Sequence, residues 1–370
     1  MKKLLYITDQ QEYADHGTIA PLFGHYLKKH LQVTIVYYTR YKDSFQYKGD
    51  DCIVPESELE NIVGYLDKEG IDLGSFHFIL VRNRFDILRT VLAHRVRYGY
   101  RVGFRLSFPK TETAYAAMMA KYKRAFFPAL ALKYKRSRER RLIEACDLFL
   151  PSSAMLAAGL YPGLDLPTLP LPAGIDPARI AAPKSGFTTP RRFVYVGSLD
   201  PLRRFETLLD AFATLTRLEW SLDISTFDPT YLKTILKGYP QLAGRIRILQ
   251  ATNLTELGRQ IRACDVGLAL MPALPIFAMT LPAKVMDYYA AGVPALLTDT
   301  PKNRDRLRDG DEAFFCAFDT AAIAATLETL IRCDSDELSK VREQGLNRLL
   351  GAGRSYDIMA EQLHRRLITL

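Results

Sequence analysis

The sequence predicts an α/β chain of two doubly wound domains in series, facing each other across a cleft. Three observations predict it. The chain has 370 residues, more than one domain of average size needs. Short β-rich apolar runs alternate with helical stretches along most of it. Those runs do not alternate apolar with polar residues, which marks strands buried on both faces and hence parallel sheets covered by helices.

In the first half, strands are expected at Lys3–Thr8, Val33–Tyr38, Phe76–Val81, Arg101–Leu106 and Asp147–Leu150. Helical segments are expected at Thr18–His30, Glu56–Glu69, Phe85–Tyr98 and, as one long basic stretch, from Thr113 to Ala145. The segment PTLPLPAGIDPARIAAPKSGFTTPR, residues 167–191, breaks the rhythm and reads as a linker. A second series follows, with strands at Phe193–Val196, Trp220–Ile224, Arg245–Leu249, Val266–Leu270, Ala295–Leu297 and Phe314–Cys316. Its helices are expected at Phe205–Leu218, Thr230–Lys237, Leu254–Cys264, Ala283–Ala291 and Thr320–Arg332, with Glu337–Leu350 and Tyr356–Leu367 closing the chain. The domains are placed at 1–170 and 192–350, the linker at 171–191. The last helix, within 351–370, is expected to pack back on the first domain.

Composition narrows the function. No run of 18 or more apolar residues occurs, so no membrane-spanning helix is expected. Thr8, Asp9 and Gln10 interrupt the apolar run of MKKLLYITDQ, which reads as a buried strand and not a secretory signal. Cys52, Cys146, Cys264, Cys316 and Cys333 are scattered without CxxC pairing, which fits a reducing cytoplasm and neither a zinc knuckle nor a disulfide framework. The net charge is +9, yet residues 121–141 alone carry nine Lys/Arg and one Glu. The remainder is close to neutral, so the basicity is a local device and not the spread footprint of a nucleic-acid binder.

Two loops of the second half carry chemistry. In VYVGSLDPLRRFETLLDAF, residues 194–212, a strand ends at Gly197 and a helix begins near Phe205. Glycine there lets backbone approach a ligand, the helix start suits a phosphate, and Arg203 and Arg204 offer donors of matching geometry. The plainer reading is a turn with two solvated arginines. In MPALPIFAMTLPAKVMDYYAAGVPALLTD, residues 271–299, Pro282 opens a helix and Lys284 falls in its first turn, where a cation opposes the helix dipole. A bound diphosphate would account for that misfit. Asp287, three residues on, shares the face and can accept hydrogen bonds from ribose hydroxyls. The alternative is a surface ion pair of Lys284 with Asp287.

Together these segments resemble the glycosyltransferase group 1 (family 4-like) enzymes of GT-B fold, which consist of two Rossmann-like domains. Residues 194–212 look like the family's glycine loop, with Arg203 at its diphosphate-contacting position. Residues 282–299 resemble its P-x-K-[LV]-x-E-Y-x-A-x-G-x-P segment, with Asp287 matching the second acidic residue of a two-glutamate motif. ACDVGLALMP (263–272), LPAGIDPARI (171–180) and RLIEACDLFLPSSAMLAAGL (141–160) are similar to the strand before that segment, to the hinge, and to the last βα unit of the first domain. There are departures. The motif's first glutamate falls at Met279, Asp287 is one methylene short, and Ser198 replaces the common arginine.

The resemblance implies a nucleotide-diphosphate sugar donor, transfer with retention and no metal or other cofactor. It implies a donor site of Gly17, Gly197, Ser198, Arg204, Pro282, Ala283 and Asp287, with Arg203, Lys284 and His16 as the catalytic candidates. Gly17, after the first strand, would bring backbone amides to the phosphates. If the enzyme inverts, Asp15, His16 or Glu12 would serve as base. Arg82, Asn83 and Ser107, with Asp15, are the acceptor-side candidates at strand ends; Arg84 is expected to pair with Asp86 or Asp72.

In residues 121–141 aromatic and aliphatic side chains, among them Phe126, Phe127, Leu130 and Tyr134, interleave with the cations, and Pro128 is expected to kink or split the helix. Such a mixture suits an anionic membrane surface, where a glycan or lipid-linked acceptor would be held, at the cytoplasmic face of a plasma membrane; nucleic acid is not expected. Rival readings are a nucleotide-sugar epimerase or hydrolase and an inactive sugar-nucleotide-binding subunit. A nicotinamide-dependent dehydrogenase is disfavoured because no GxGxxG follows a strand.

Overall fold

The computed structural model describes residues 1–12, 17–121, 126–184, 186–226, 229–279 and 281–370, with the side chains of 120, 121, 126 and 127 outside the description. The chain forms two units, one of Met1–Pro172 with Tyr356–Leu370, the other of Ala173–Ser355.

The first unit holds strands β1 (Lys3–Gln11), β2 (Gln32–Thr39), β3 (Gln46–Lys48), β4 (Asp51–Pro55), β5 (Phe78–Arg82), β6 (Arg101–Leu106) and β7 (Leu148–Pro151). They form one sheet in the order β3-β4-β2-β1-β5-β6-β7. Every pairing is parallel except the hairpin of β3 with β4. β4, β5 and β7 are buried along their whole length, as strands covered on both faces must be. The helices are α1 (Ile62–Lys68), α2 (Phe85–Tyr98), α3 (Lys110–Lys121), α4 (Phe126–Glu144) and α5 (Ala154–Leu160). Ser153 caps α5, its hydroxyl accepting from the Leu156 amide at 2.9 Å.

Two expectations for this unit need correction. The segment foreseen as a helix at Thr18–His30 is wound wide over Ala20–Tyr26, where the Gly24 amide reaches back five residues to the Ile19 carbonyl, and ends in a tight turn at Leu27–Lys29. The long basic stretch is helical over Lys110–Lys121 and Phe126–Glu144, residues 122–125 lying outside the described residues, and Pro128 falls within the second run without splitting it.

The second unit holds β8 (Arg191–Val196), β9 (Trp220–Ser225), β10 (Ile246–Leu249), β11 (Val266–Ala269), β12 (Ala295–Thr298) and β13 (Phe314–Cys316), all parallel, in the order β10-β9-β8-β11-β12-β13. Its helices are α6 (Phe205–Thr214), α7 (Pro229–Leu236), α8 (Leu254–Arg262), α9 (Pro275–Ala278), α10 (Lys284–Ala290), α11 (Pro301–Arg306), α12 (Thr320–Arg332) and α13 (Ser335–Gly351). Asn253, Asp319 and Asp334 cap α8, α12 and α13 with side-chain oxygens on backbone amides. The last helix, α14 (Tyr356–Ile368), belongs to the first unit, where Met359, Ala360, Leu363 and Leu367 join the core of Leu4, Tyr6, Phe23 and Ile35.

Both sheets reverse direction once. From β1 the order runs outward through β2 and β4, then restarts at β5 on β1's other side; β8 does the same with β9 and β11. At such a switch point the connections diverge and leave a crevice beyond the carboxyl ends of the strands. The ends of β1 and β5, and of β8 and β11, are thus where each unit can take a ligand.

Candidate functional site

At the switch point of the second unit, Tyr288 of α10 ties the neighbouring strands together. Its hydroxyl accepts from the Val196 amide at 3.1 Å and donates to the Leu268 carbonyl at 3.0 Å. The ring lies against β11 only because residue 267 is glycine; a Cβ there would stand 2.3 Å from the ring. This contact sets the start of α10 beside the end of β8. Pro282 and Ala283 lead into the helix, and the Val285 and Met286 amides bond back to their carbonyls at 3.1 and 3.0 Å.

Lys284, the first residue of α10, turns its side chain toward the β8 end. Its Nζ is buried and has no hydrogen-bond partner among the described residues. It lies 3.6 Å from the centroid of the Tyr195 ring. Burial, and then the nearby Arg203 charge, hold the ammonium well below its ordinary pKa, with Asp287 opposing. The surface ion pair of Lys284 with Asp287 is therefore not what forms. Asp287 is itself pushed up by burial to about 7, with Arg179 and Lys284 pulling the other way.

Gly197 faces Lys284 with positive φ, +132°. Ser198 is exposed, and its carbonyl accepts from the Tyr195 hydroxyl at 3.1 Å. Asp200 then caps the short turn Pro201–Arg203, accepting from the Arg203 amide at 3.2 Å. The Arg203 guanidinium pairs with the Asp200 carboxylate and lies 5.4 Å from the Phe277 ring centroid. An arginine carries five N–H donors, so this pairing leaves others for a ligand. Arg204 is exposed, holds a left-handed backbone at the start of α6 and lies 6.0 Å from the Phe318 ring. Met279 ends α9 and is half-buried.

The first unit assembles a different set at its own switch point. Asp9, near the end of β1, pairs with Arg82 of β5 and, at 2.6 Å, with Lys110 at the start of α3. Asn83, at φ +56°, donates to Asp9 at 3.1 Å and to the Ser107 hydroxyl at 2.8 Å, and accepts from the Ser107 amide at 2.8 Å. Burial raises the Asp9 pKa, but Arg82 and Lys110 outweigh it and the carboxyl sits below its ordinary value. Arg84 pairs with Asp86. The Gly17 carbonyl accepts from the Tyr356 hydroxyl at 2.8 Å, and the Thr18 carbonyl from the buried Arg105 at 3.1 Å. Asp15 and His16 lie outside the described residues.

The structure thus brings Gly197, Ser198, Arg203, Lys284 and Asp287 to one strand end, with Arg204 on the exposed rim, and Arg82, Asn83 and Ser107 to another. Sequence reasoning missed Tyr195, Asp200, Asp9 and Lys110. Tyr195 sits within an apolar strand and reads as core. Asp9 and Lys110 carry no motif; only their positions after a strand and before a helix could have suggested them.

Residues 190–333 match the model of the family "Glycosyl transferases group 1". No curated protein matches significantly. The chain is similar over its whole length to solved glycosyl-transfer enzymes. Sucrose-phosphate synthase from Thermosynechococcus elongatus is 15% identical, with 100% of each chain covered and a TM-score of 0.72. The UDP-forming α,α-trehalose-phosphate synthase of Burkholderia xenovorans, in complex with glucose-6-phosphate, is 12% identical, with 99% of each covered and a TM-score of 0.70. Anabaena HepE, in complex with UDP-glucose, is 12% identical, with 100% of each covered and a TM-score of 0.69. At these identities the likeness speaks for the GT-B fold, and the family match for the second unit's chemistry. Residues 190–333 of the second unit match the group 1 glycosyltransferase model, and the chain as a whole has the GT-B fold.

Proposed function

We propose that this chain transfers a sugar from a nucleotide-diphosphate donor to a glycan or lipid-linked acceptor, with retention and without a metal ion. One observation carries the reading. Lys284 keeps an ammonium buried beside Gly197 and near Arg203 with no acceptor among the described residues. A charge so placed is costly unless an anion completes it. The diphosphate is that anion, and the carboxyl of Asp287, one turn along, is set to hold a ribose hydroxyl.

In the step itself the anomeric C–O bond to the diphosphate breaks and a bond to the acceptor oxygen forms on the same face. The acceptor proton passes to the departing diphosphate oxygen. Arg203 and Lys284 stabilise the charge that develops on that leaving group, usually the largest catalytic contribution. No side-chain nucleophile is needed. Gly17 is assigned to the donor phosphates, His16 and Asp15 to the acceptor side, and Arg82, Asn83 and Ser107 to the acceptor's polar groups.

The basic helix α4 supports a peripheral site on an anionic membrane, as in synthesis of cell-surface polysaccharide or glycolipid at the cytoplasmic face. The spacing of Leu130, Lys133, Tyr134, Arg138 and Arg141 puts them on one helix face. All five are exposed, and Arg138 lies over the Tyr134 ring.

A thermal-shift panel of UDP, GDP and their sugars, followed by turnover with candidate acceptors, tests the reading. A ligand that binds only the folded state must raise Tm. Stabilisation by a nucleoside diphosphate, sugar transfer that survives EDTA, and an anomeric linkage retained by proton NMR are expected. No stabilisation by any nucleotide would overturn it. Donor breakdown without acceptor would turn the reading to an epimerase or hydrolase, and binding without turnover to an inactive subunit.

A further inference from the structure

Lys284 is charged in the proposed reaction, yet its surroundings argue against charge. The Nζ is removed from water, Arg203 adds a second cation from the turn after β8, and Asp287 of its own helix is a carboxyl with a raised pKa. Arg179 favours the Asp287 carboxylate but only partly offsets the effect of burial on it. The group in direct contact is an aromatic face: the Tyr195 ring centroid lies 3.6 Å from Nζ. A ring quadrupole attracts a cation, and more strongly once water is excluded.

The ring is also held still. Tyr195 is 1% exposed. Its hydroxyl donates to the Ser198 carbonyl at 3.1 Å, and its ring meets Phe205, first residue of α6, edge-on at 4.9 Å. It thereby joins the loop after β8, the start of α6 and the start of α10.

We propose that Tyr195 is a positioning residue for Lys284: its ring face holds the ammonium charged and aimed at the glycine loop until a diphosphate arrives. The proposal rests on the reading of Lys284 as a diphosphate ligand and names the residue that keeps it competent. It makes a claim that plain packing does not. The ring stabilises the protonated amine, so losing the ring lowers the pH at which the unliganded protein gives up that proton. Diphosphate binding requires the proton, so affinity then falls at a lower pH.

The test is calorimetric titration of the unlabelled full chain with UDP and GDP from pH 6 to 9, for wild type, Tyr195→Phe and Tyr195→Leu. Tyr195→Phe keeps the face and loses only the bond to Ser198; its alkaline loss of affinity should coincide with that of wild type. Tyr195→Leu should lose affinity about one pH unit earlier, reaching roughly tenfold weaker binding on the alkaline side and near-equal binding at pH 6. If Tyr195→Leu does not fold, Tyr195→Met, closer to the ring in volume, makes the same comparison. An equal loss at every pH means packing alone and overturns the proposal. Matching profiles for the Phe and Leu variants also overturn it, since the hydroxyl would then be the operative group. Absence of binding to wild type overturns both this and the donor-site reading, whereas binding with an unshifted profile overturns only this one.

Discussion

Gly197 and Lys284 share one space: a Cβ on Gly197 would stand 3.3 Å from the lysine Nζ and 3.4 Å from its Cε. With φ at +132°, residue 197 is also in a region that L side chains rarely adopt. Gly197→Ala should therefore strain the loop and displace the ammonium at once. We expect a stability loss of roughly 1–3 kcal/mol by denaturant titration, and a smaller Tm rise on adding a nucleoside diphosphate. A variant that matches wild type in both would remove the loop from the donor site.

Lys284→Met separates function from stability. It removes a buried ammonium that has no acceptor among the described residues. The unliganded Tm should hold or rise, because an unpaired buried charge is costly. kcat should fall by about 10²–10³, the scale of losing one donor to a developing charge. Turnover near wild type would show that Lys284 does not serve the leaving group.

Asp287 makes stability depend on pH. Its folded value, about 7, lies above its ordinary 3.8. Below both values the group is protonated in both states and has no effect. Between them the folded state holds a proton that the unfolded state releases, so its contribution falls as pH rises and levels off above about 7. Asp287→Asn should cancel that fall: urea midpoints of the two proteins should agree near pH 4 and diverge in the variant's favour by pH 7.5. Parallel curves would place the carboxyl in water.

Asp9 acts in the opposite sense. Its pKa is below the ordinary value, so the stability it contributes is present above pH 3.8 and is lost as pH falls through the folded value. Asp9→Asn leaves Arg82 without its buried partner and should cost about 3 kcal/mol at pH 7. A loss below about 1 kcal/mol would show that solvent replaces the pair.

For α4 the expectation is co-sedimentation with vesicles containing anionic lipid, weaker at high salt and absent with neutral lipid. Replacing Lys133, Arg138 and Arg141 by serine should weaken it by about 1 kcal/mol per charge. Equal binding to neutral vesicles would end the electrostatic account.

Much of the fold was legible because it rests on local pattern. The strands at Arg101–Leu106 and Phe314–Cys316 and the helices at Phe85–Tyr98 and Thr320–Arg332 fall where apolar periodicity put them. The short helix Pro275–Ala278 and the edge hairpin β3–β4 were not legible, since few residues leave no period to read. The wide turns at Ala20–Tyr26 escaped for another reason: a helical pattern does not say how far back an amide reaches.

Two parallel-sheet units, a glycine at the end of one strand, and a lysine and an aspartate in one helical turn could all be read from residue order, because spacing along a strand or helix is a local property. That Lys284 meets an aromatic ring instead of Asp287 and that Asp9 gathers Arg82 and Lys110 could not. Each depends on which strands become neighbours at a switch point, and that is settled by packing between elements far apart in the chain. Burial then converts these meetings into shifted protonation, which no reading of neighbours in sequence contains.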